Sequence, residues 1–343
     1  MKACVRKTGD SPGKGTRPRS DARNASRMCP RRLRRTQRDT VPVFRKRVGF
    51  IGAGRVGCAL AWHCRRLGYP IAGVTDLAPK QARVVYGLMK EKYERLSPHD
   101  VATESDVLFL TVPDSQIGPV FESVREALGA APANDERGTK NEKRIVAHCS
   151  GALGPEVFAR AREQGLGTLA LHPVQSFFSH SQAIRGLPGS FFAADGSAFG
   201  LRFGWHLVRQ LNGGWVRVRG ADRPMYHAMC VFASNFLNAL FNGAEEIGRE
   251  LGISRRRAGL MLVPLARTVL ENIAEQGAGP SLTGPVERGD ALTVATHLRT
   301  LEKRAPRLVP MYRVMSSRLV EMAGRGGLDK AAVRKLKAAL EEK

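Results

Sequence analysis

Gly52-Ala53-Gly54-Arg55-Val56-Gly57 follows a short apolar run, Val48, Phe50 and Ile51, and leads into a helical pattern from Arg55 to about Leu67. A strand, a glycine turn and a helix in that order form a cradle for a diphosphate. Gly52 lets the chain turn off the strand, Gly54 lets backbone approach a pyrophosphate, and Gly57 lets the helix pack on the strand. The helix start adds free N–H groups and the positive end of its dipole. Asp76 comes 19 residues after Gly57, at the close of the next apolar run, 71–74. A carboxylate there accepts hydrogen bonds from adenosine ribose hydroxyls and favours NAD. Its other use is to cap the helix that follows. Lys80 and Arg83 lie close enough in sequence to receive a 2′-phosphate instead, so the expected cofactor is NAD or NADP. Gly52, Gly54, Arg55, Val56, Gly57 and Asp76 are expected to hold it, with Val112 and Pro113 from a later strand end.

Further candidates lie at other strand ends. His172 ends the apolar run 168–172 and precedes Pro173, which keeps it extended. An imidazole so placed can serve as general acid or base near neutral pH, or simply bond to backbone. Ser150 follows the run 144–148, and its hydroxyl could orient a nicotinamide or a substrate. His148 falls inside that run and is expected to be a satisfied core histidine. Tyr226, His227, Ser234 and Asn235 lie on a long apolar helical stretch, where polar side chains cost burial energy unless something bonds to them. Asn235 is assigned to substrate or cofactor. In the turn-rich stretch 283–290, Arg288 could clamp a carboxylate or phosphate, and Asp290 either fixes that loop or caps the next helix.

Alternating strands and helices over 47–219 position these residues and imply a doubly wound, mostly parallel sheet of Rossmann type, in the α/β class. Ligands of such sheets bind outside the carboxyl ends of the strands. The loops 52–57, 113–116, 150–151 and 172–177 should therefore line one crevice. From residue 222 onward no strand pattern remains. Helical periodicity covers 222–251, 254–276, 290–301, 303–322 and 328–342. The first of these stretches is apolar around much of its surface, with Met225, Met229, Phe232, Phe236, Leu237 and Leu240, and so must be buried in a bundle or a subunit interface. The expected division is a basic extension over 1–44, a dinucleotide-binding domain over 45–220 and an all-helical substrate and dimerisation domain over 221–343.

The chain of 343 residues carries a net charge of +24, which by itself suggests a nucleic acid or an anionic surface as partner. Sixteen Lys and Arg against three Asp fall within residues 1–47, however, so thirteen of the twenty-four charges belong to that extension. Poor in large apolar residues, the extension cannot bury a core and is expected to be disordered. Nucleic acid is expected as a partner only through it. No apolar run approaches the ~20 residues of a membrane span. The six cysteines form no C-x-x-C pair and no zinc spacing. Scattered thiols in a large core fit a reducing cytoplasm. No metal is expected.

Taken together, GAGRVG at 52–57, VPDSQI at 112–117, HCSGAL at 148–153, LHPVQSF at 171–177, YHAMCVFASN at 226–235 and LTGPVERGD at 282–290 form a recognisable set. The chain resembles the uncharacterised bacterial Rossmann-like proteins with a C-terminal helical domain of unknown function. It is similar in architecture to pyrroline-5-carboxylate reductase, 3-hydroxyacid dehydrogenase and prephenate dehydrogenase. The resemblance implies NAD(P) bound to the first domain, a homodimer formed through the second, and an oxidoreductase acting on a small carboxylate-bearing metabolite. His172-Pro173 is similar to the His-Pro of prephenate dehydrogenase. Hydroxyacid dehydrogenases place a catalytic lysine four residues before an asparagine. Here Asn235 is present and the matching position is Val231. A non-catalytic dinucleotide-binding sensor or scaffold therefore stays open beside the enzyme.

Overall fold

Short runs of Val, Ile, Leu and Phe build the centre of the protein. In the computed structural model, which describes residues 46–130 and 144–341, Val48–Ile51 (β1), Ile71–Thr75 (β2), Val107–Leu110 (β3), Ile145–His148 (β4), Gly167–Pro173 (β5), Phe191–Gly196 (β6) and Gly214–Arg217 (β7) form one sheet. Its order is β2-β1-β3-β4-β5-β6-β7. Every neighbouring pair is parallel except β5 with β6. Strands β1, β3 and β4 are buried along their whole length, as strands covered on both faces must be. The expected basic extension, 1–44, lies outside the described residues.

Arg55–Arg66 (α1), Pro79–Met89 (α2), Pro98–Glu104 (α3), Asp114–Gly129 (α4), His180–Gly186 (α5) and Ala198–Gln210 (α6) cover the sheet. On one face the Phe109 ring stacks on Phe50 at 5.4 Å between centroids and meets Phe203 at 6.4 Å. On the other, Leu108 and Leu110 pack with Phe121, Val146 and Phe158. Neither α3 nor α5 is apparent from apolar periodicity, because each is only seven residues long. Their caps are what define them. The Ser97 and Asp100 side chains form a reciprocal capping box, and the Ser179 side chain accepts from Gln182 N–H.

After β7 the chain is helical: Arg223–Ala233 (α7), Asn235–Glu250 (α8), Arg255–Gln276 (α9), Ala291–Arg304 (α10), Val309–Arg325 (α11) and Lys330–Glu341 (α12). Helices α10–α12 enclose a core of their own, with Val294, Leu298, Val320, Leu336 and Leu340. The single helix expected over 222–251 is two helices. At Ser234 the backbone leaves helical geometry, with φ −129° and ψ −73°. Its hydroxyl donates to Cys230 O, four residues back, at 2.7 Å. Such a bond competes with the helical ladder and bends the chain. Asn235 thus opens α8 instead of lying within a continuous helix.

Phe109 is fully buried in a central strand. Phe109→Ala should lower unfolding free energy by about 3–5 kcal/mol through lost burial and the cavity left behind. Urea denaturation measures this as a lower midpoint with an unchanged slope.

Candidate functional site

Strand order places the site. The chain runs from β1 outward to β2 and then returns past β1 to β3, so the connections diverge at the carboxyl ends of β1 and β3. Such a switch point leaves a crevice. The glycine turn that follows β1 is bonded to the end of β3: Thr111 N–H donates to Ile51 O at 2.8 Å, and Thr111 Oγ1 to Gly52 O at 2.6 Å. Gly52 has φ +101°, and a Cβ there would lie 2.5 Å from Thr111 O. A Cβ on Gly57 would lie 2.3 Å from Gly52 O. Gly54 differs: a Cβ there meets nothing within 4 Å, because the residue faces open space. No side chain caps α1, so its first N–H groups point toward the same space.

Asp76, at the end of β2, supports the turn directly. Its Oδ2 accepts from Ala53 N–H at 2.7 Å and its Oδ1 from Ala78 N–H at 2.8 Å. Across the turn lies the loop between β5 and α5. Arg55 Nη1 donates to Phe177 O at 3.1 Å, and His180 Nε2 donates to Ala53 O at 3.2 Å.

These elements enclose a cavity of about 1210 Å³. Gly54, Arg55, Val56, Asp76, Val112 and Pro113 line one part of it, and His172, His227, Val231, Ser234 and Asn235 another. The volume exceeds the ~300–1,000 Å³ of ordinary small-ligand pockets. His172 Nδ1 lies 2.7 Å from the hydroxyl of Tyr226, which stands behind it. Tyr226 is buried, and burial raises its pKa, so the phenol keeps its proton. Burial first, then the positive charge of Arg223 and the neighbouring His227, pull His172 down to about 4. Gly151 makes room for this convergence. A Cβ there would sit 2.7 Å from His227 Cδ2 and 3.0 Å from His172 Nε2.

Arg223, at the start of α7, has no exposed surface. Its Nη1 donates to Ser150 O at 2.9 Å, and its Nη2 to Ala170 O at 3.0 Å and Ala193 O at 3.2 Å. Its Nε has no partner among the described residues. Sequence reasoning missed this residue. The available signal was a cation at a helix start, where the dipole disfavours one.

Five expected site residues are not on the cavity wall: Gly52 and Gly57, buried within the turn, and Ser150, Asp290 and Arg288. Ser150 is buried beside that wall, and its hydroxyl is fully engaged. It donates to Asp114 Oδ2 at 2.8 Å and accepts from Ala152 and Leu153 N–H at 3.1 and 3.0 Å. Asp290 caps α10, accepting from Thr293 N–H at 3.0 Å and Thr293 Oγ1 at 2.6 Å. Arg288 is an exposed residue of the preceding loop and does not reach the cavity of its own chain. His148 is a satisfied core histidine: Ser150 N–H donates to its Nδ1 at 3.2 Å, and its Nε2 donates to Gly154 O at 3.1 Å. Burial holds it at about 4. Among the described residues no group of His, Cys, Asp and Glu could hold a metal, and no helix is long and apolar enough to cross a membrane.

The sheet, the glycine turn and the crevice define a Rossmann-type α/β protein. The Rossmann-like domain model matches residues 34–173, and the domain of unknown function DUF2520 matches residues 190–319. The chain thus joins a Rossmann-like domain to a DUF2520 domain. No curated protein matches it in sequence. Among solved structures, a Thermotoga maritima protein is 25% identical, covering 81% of this chain and 99% of its own, with a TM-score of 0.60. A Bacteroides fragilis protein provisionally described as an NADP oxidoreductase is 20% identical over 80% of this chain and 97% of its own, with a TM-score of 0.61. An imine reductase from Myxococcus stipitatus, in complex with NADP+, is 17% identical over 84% of this chain and 99% of its own, with a TM-score of 0.55. All three share the fold.

The buried histidines make stability depend on pH. Unfolded histidine titrates near 6.5, whereas His148 and His172 are held at about 4 in the fold. Between those values the unfolded chain binds more protons, so unfolding free energy should fall as pH falls from about 6.5 toward 4. Urea midpoints measured across that window should show the decline, and His172→Gln should make it shallower.

Proposed function

We propose that the protein is an NAD(P)-dependent oxidoreductase, with residues 45–220 as the dinucleotide-binding domain and 221–343 as the substrate and dimerisation domain. The observation that carries this reading is the shared cavity, in which an uncapped helix start and open Gly54 face the same space as His172 and Asn235. The donor set suits the group. N–H groups of the turn and of α1 would bind the diphosphate, and Asp76 the adenosine ribose. When bound, the cofactor supplies the hydride.

The chain's own residues handle the substrate's polar atom. His172, neutral at pH 7, presents Nε2–H as a hydrogen-bond donor to an oxygen or nitrogen that gains charge. Tyr226 backs the ring at Nδ1 and fixes its tautomer. The Asn235 amide nitrogen adds a second donor, with its Oδ1 lying 3.0 Å from Ser234 Oγ. This set fits reversible reduction of a carbonyl or imine on a small metabolite. A carboxylate on that metabolite was expected to meet Arg288. On the cavity wall of one protomer, Arg55 is the Arg or Lys side chain among the described residues. The four described cysteines are free thiols, which supports a cytoplasmic location.

Gly54→Val tests the cofactor site, because the new side chain meets open space and not protein. The variant should keep its melting temperature and lose NAD(P)H binding in a fluorescence titration. His172→Gln and Asn235→Ala should each cut turnover at least about tenfold with little change in cofactor affinity, as expected for groups that act on the developing charge. Cofactor binding without turnover on any carbonyl or imine would favour a sensor or scaffold.

Homodimerisation rests on the apolar face of α7–α9. Met225, Met229, Phe232, Leu260 and Leu265 are each more than half exposed in the single chain. Helix α9 buries only Ala258 along its 22 residues. Unpaired apolar surface of this kind marks an association site, and two-fold pairing is its commonest form. Light scattering should give twice the chain mass, and a clean monomer at micromolar concentration would overturn the dimer.

A further inference from the structure

We infer that His227 is a catalytic residue of the proposed reaction, the acid that gives a proton to the substrate's oxygen or nitrogen on reduction and takes it back in reverse. The inference rests on the oxidoreductase reading and supplies the proton source that this reading requires.

Reduction of a carbonyl or imine forms a C–H bond with a hydride and moves the C=O or C=N π pair onto the oxygen or nitrogen. That atom must then take a proton. The hydride and its two electrons are the cofactor's contribution, and the nicotinamide is left oxidised. The proton has to come from elsewhere. The groups already assigned to the reacting atom do not release one at pH 7. Burial and neighbouring positive charge hold His172 at about 4, so its ring is neutral there. Burial keeps the proton on Tyr226, whose hydroxyl is engaged with His172 Nδ1. The Asn235 amide does not ionise.

Among the described residues, the ionisable side chains on the cavity wall are Arg55, Asp76, His172, His180, His227 and Cys230. Arginine does not give up its proton in proteins, and Arg55 is turned to Phe177 O. Asp76 follows β2, four strands away from β5 and His172. His180 is bonded at the glycine turn, where its Nε2 donates to Ala53 O. Cys230 faces the Tyr226 hydroxyl. His227 remains. Its ring stands edge-on to that of His172, with 6.3 Å between centroids. It is half-buried on the wall, and neither of its nitrogens is hydrogen-bonded among the described residues. Gly151 forms a common floor for the two rings: a Cβ there would sit 2.7 Å from His227 Cδ2 and 3.1 Å from His172 Cε1.

An imidazole is the side chain suited to giving and taking a proton near neutral pH. The other ionisable groups around the two rings are Arg223, Tyr226 and Cys230 on α7 and Asp114 at the start of α4. A proton on His227 disfavours a second one on His172. The pair therefore divides the work. His172 donates a hydrogen bond to the developing charge, and the His227 imidazolium breaks its N–H bond to protonate the same atom, becomes neutral and recovers a proton from water.

Two measurements test this. Diethylpyrocarbonate labelling of the full chain without cofactor, located by peptide mass, should acylate His227 at an open nitrogen and leave buried His148 unmodified. Labelling of His227 no faster than that of His148 overturns the assignment. Turnover is then followed with NADH and NADPH on a panel of carbonyl and imine probes that includes pyruvate and 1-pyrroline. His227→Gln should keep its melting temperature and NADH affinity and lower kcat about a hundredfold or more. The decline in reductive rate that the unaltered chain shows as pH rises should disappear with it. A rate and pH profile that His227→Gln leaves unmoved overturn His227 as the acid while keeping the oxidoreductase, and so does a decline abolished by Cys230→Ala instead. Cofactor binding by the unaltered chain with no turnover across the panel overturns the enzyme reading and the acid with it.

Discussion

A single buried guanidinium ties the helical part of the chain to the sheet. Arg223 has no exposed surface and donates to carbonyls of Ser150, Ala170 and Ala193, which belong to three neighbouring lengths of chain at one edge of the crevice. Ala193 is the partner of His172 in the antiparallel β5–β6 pair. The parallel run of the sheet ends at this pairing, and Arg223 spans it. Removing a cation from water costs several kcal/mol. Three charge-assisted hydrogen bonds offset part of that cost. Planar, forked donors reach three acceptors at once, which a lysine ammonium on its flexible stem does not reproduce. Because Arg223 begins α7, the next turn of that helix carries Tyr226 and His227 to fixed places beside His172.

The same guanidinium shapes the site's electrostatics. His172 already loses water by burial, and a nearby cation disfavours a second positive charge on the ring. Tyr226 is kept protonated chiefly by burial. The pair therefore meets a ligand as two neutral groups joined by one hydrogen bond. A neutral donor can stabilise a developing negative charge without first shedding a proton to solvent. Asp114, which accepts from Ser150 Oγ, pulls His172 the other way, but less than burial, Arg223 or His227.

The parts of this molecule that were legible in the sequence are those set by local rules. Glycine spacing, a preceding apolar run and a following helix are contiguous, so the turn at 52–57 could be placed before any tertiary contact was known. His172 was legible because Pro173 and an apolar run fixed it at a strand end. The placement of Ser150 and Asp290 was less legible. Short polar side chains bond readily to nearby backbone, and both do so here, off the cavity wall. Ser234 breaks a helix that looked continuous, since apolar periodicity carries no record of a hydroxyl bonded four residues back. Arg223 gave the least warning. Its acceptors lie 30 to 73 residues away in sequence, and no local pattern encodes contacts of that range.

Strand order also fixes which end of the cavity can do which job. Asp76 ends β2 and His172 ends β5, with β1, β3 and β4 between them. Four strand spacings of about 4.8 Å separate those two strands, roughly 19 Å along the sheet edge. The glycine turn lies one strand in from Asp76, and Val112 and Pro113 follow the strand after that. A long ligand laid along this edge meets a carboxylate first, then free N–H groups, then an apolar ledge, and then a neutral histidine backed by a phenol. That sequence of environments suits hydroxyls, an anion, a flat ring and a reacting polar atom in turn. Reversing the ligand would set its anionic and reactive ends against the wrong groups. The sheet therefore imposes a polarity on whatever binds, and it does so through strand order, before any single side chain contributes specificity.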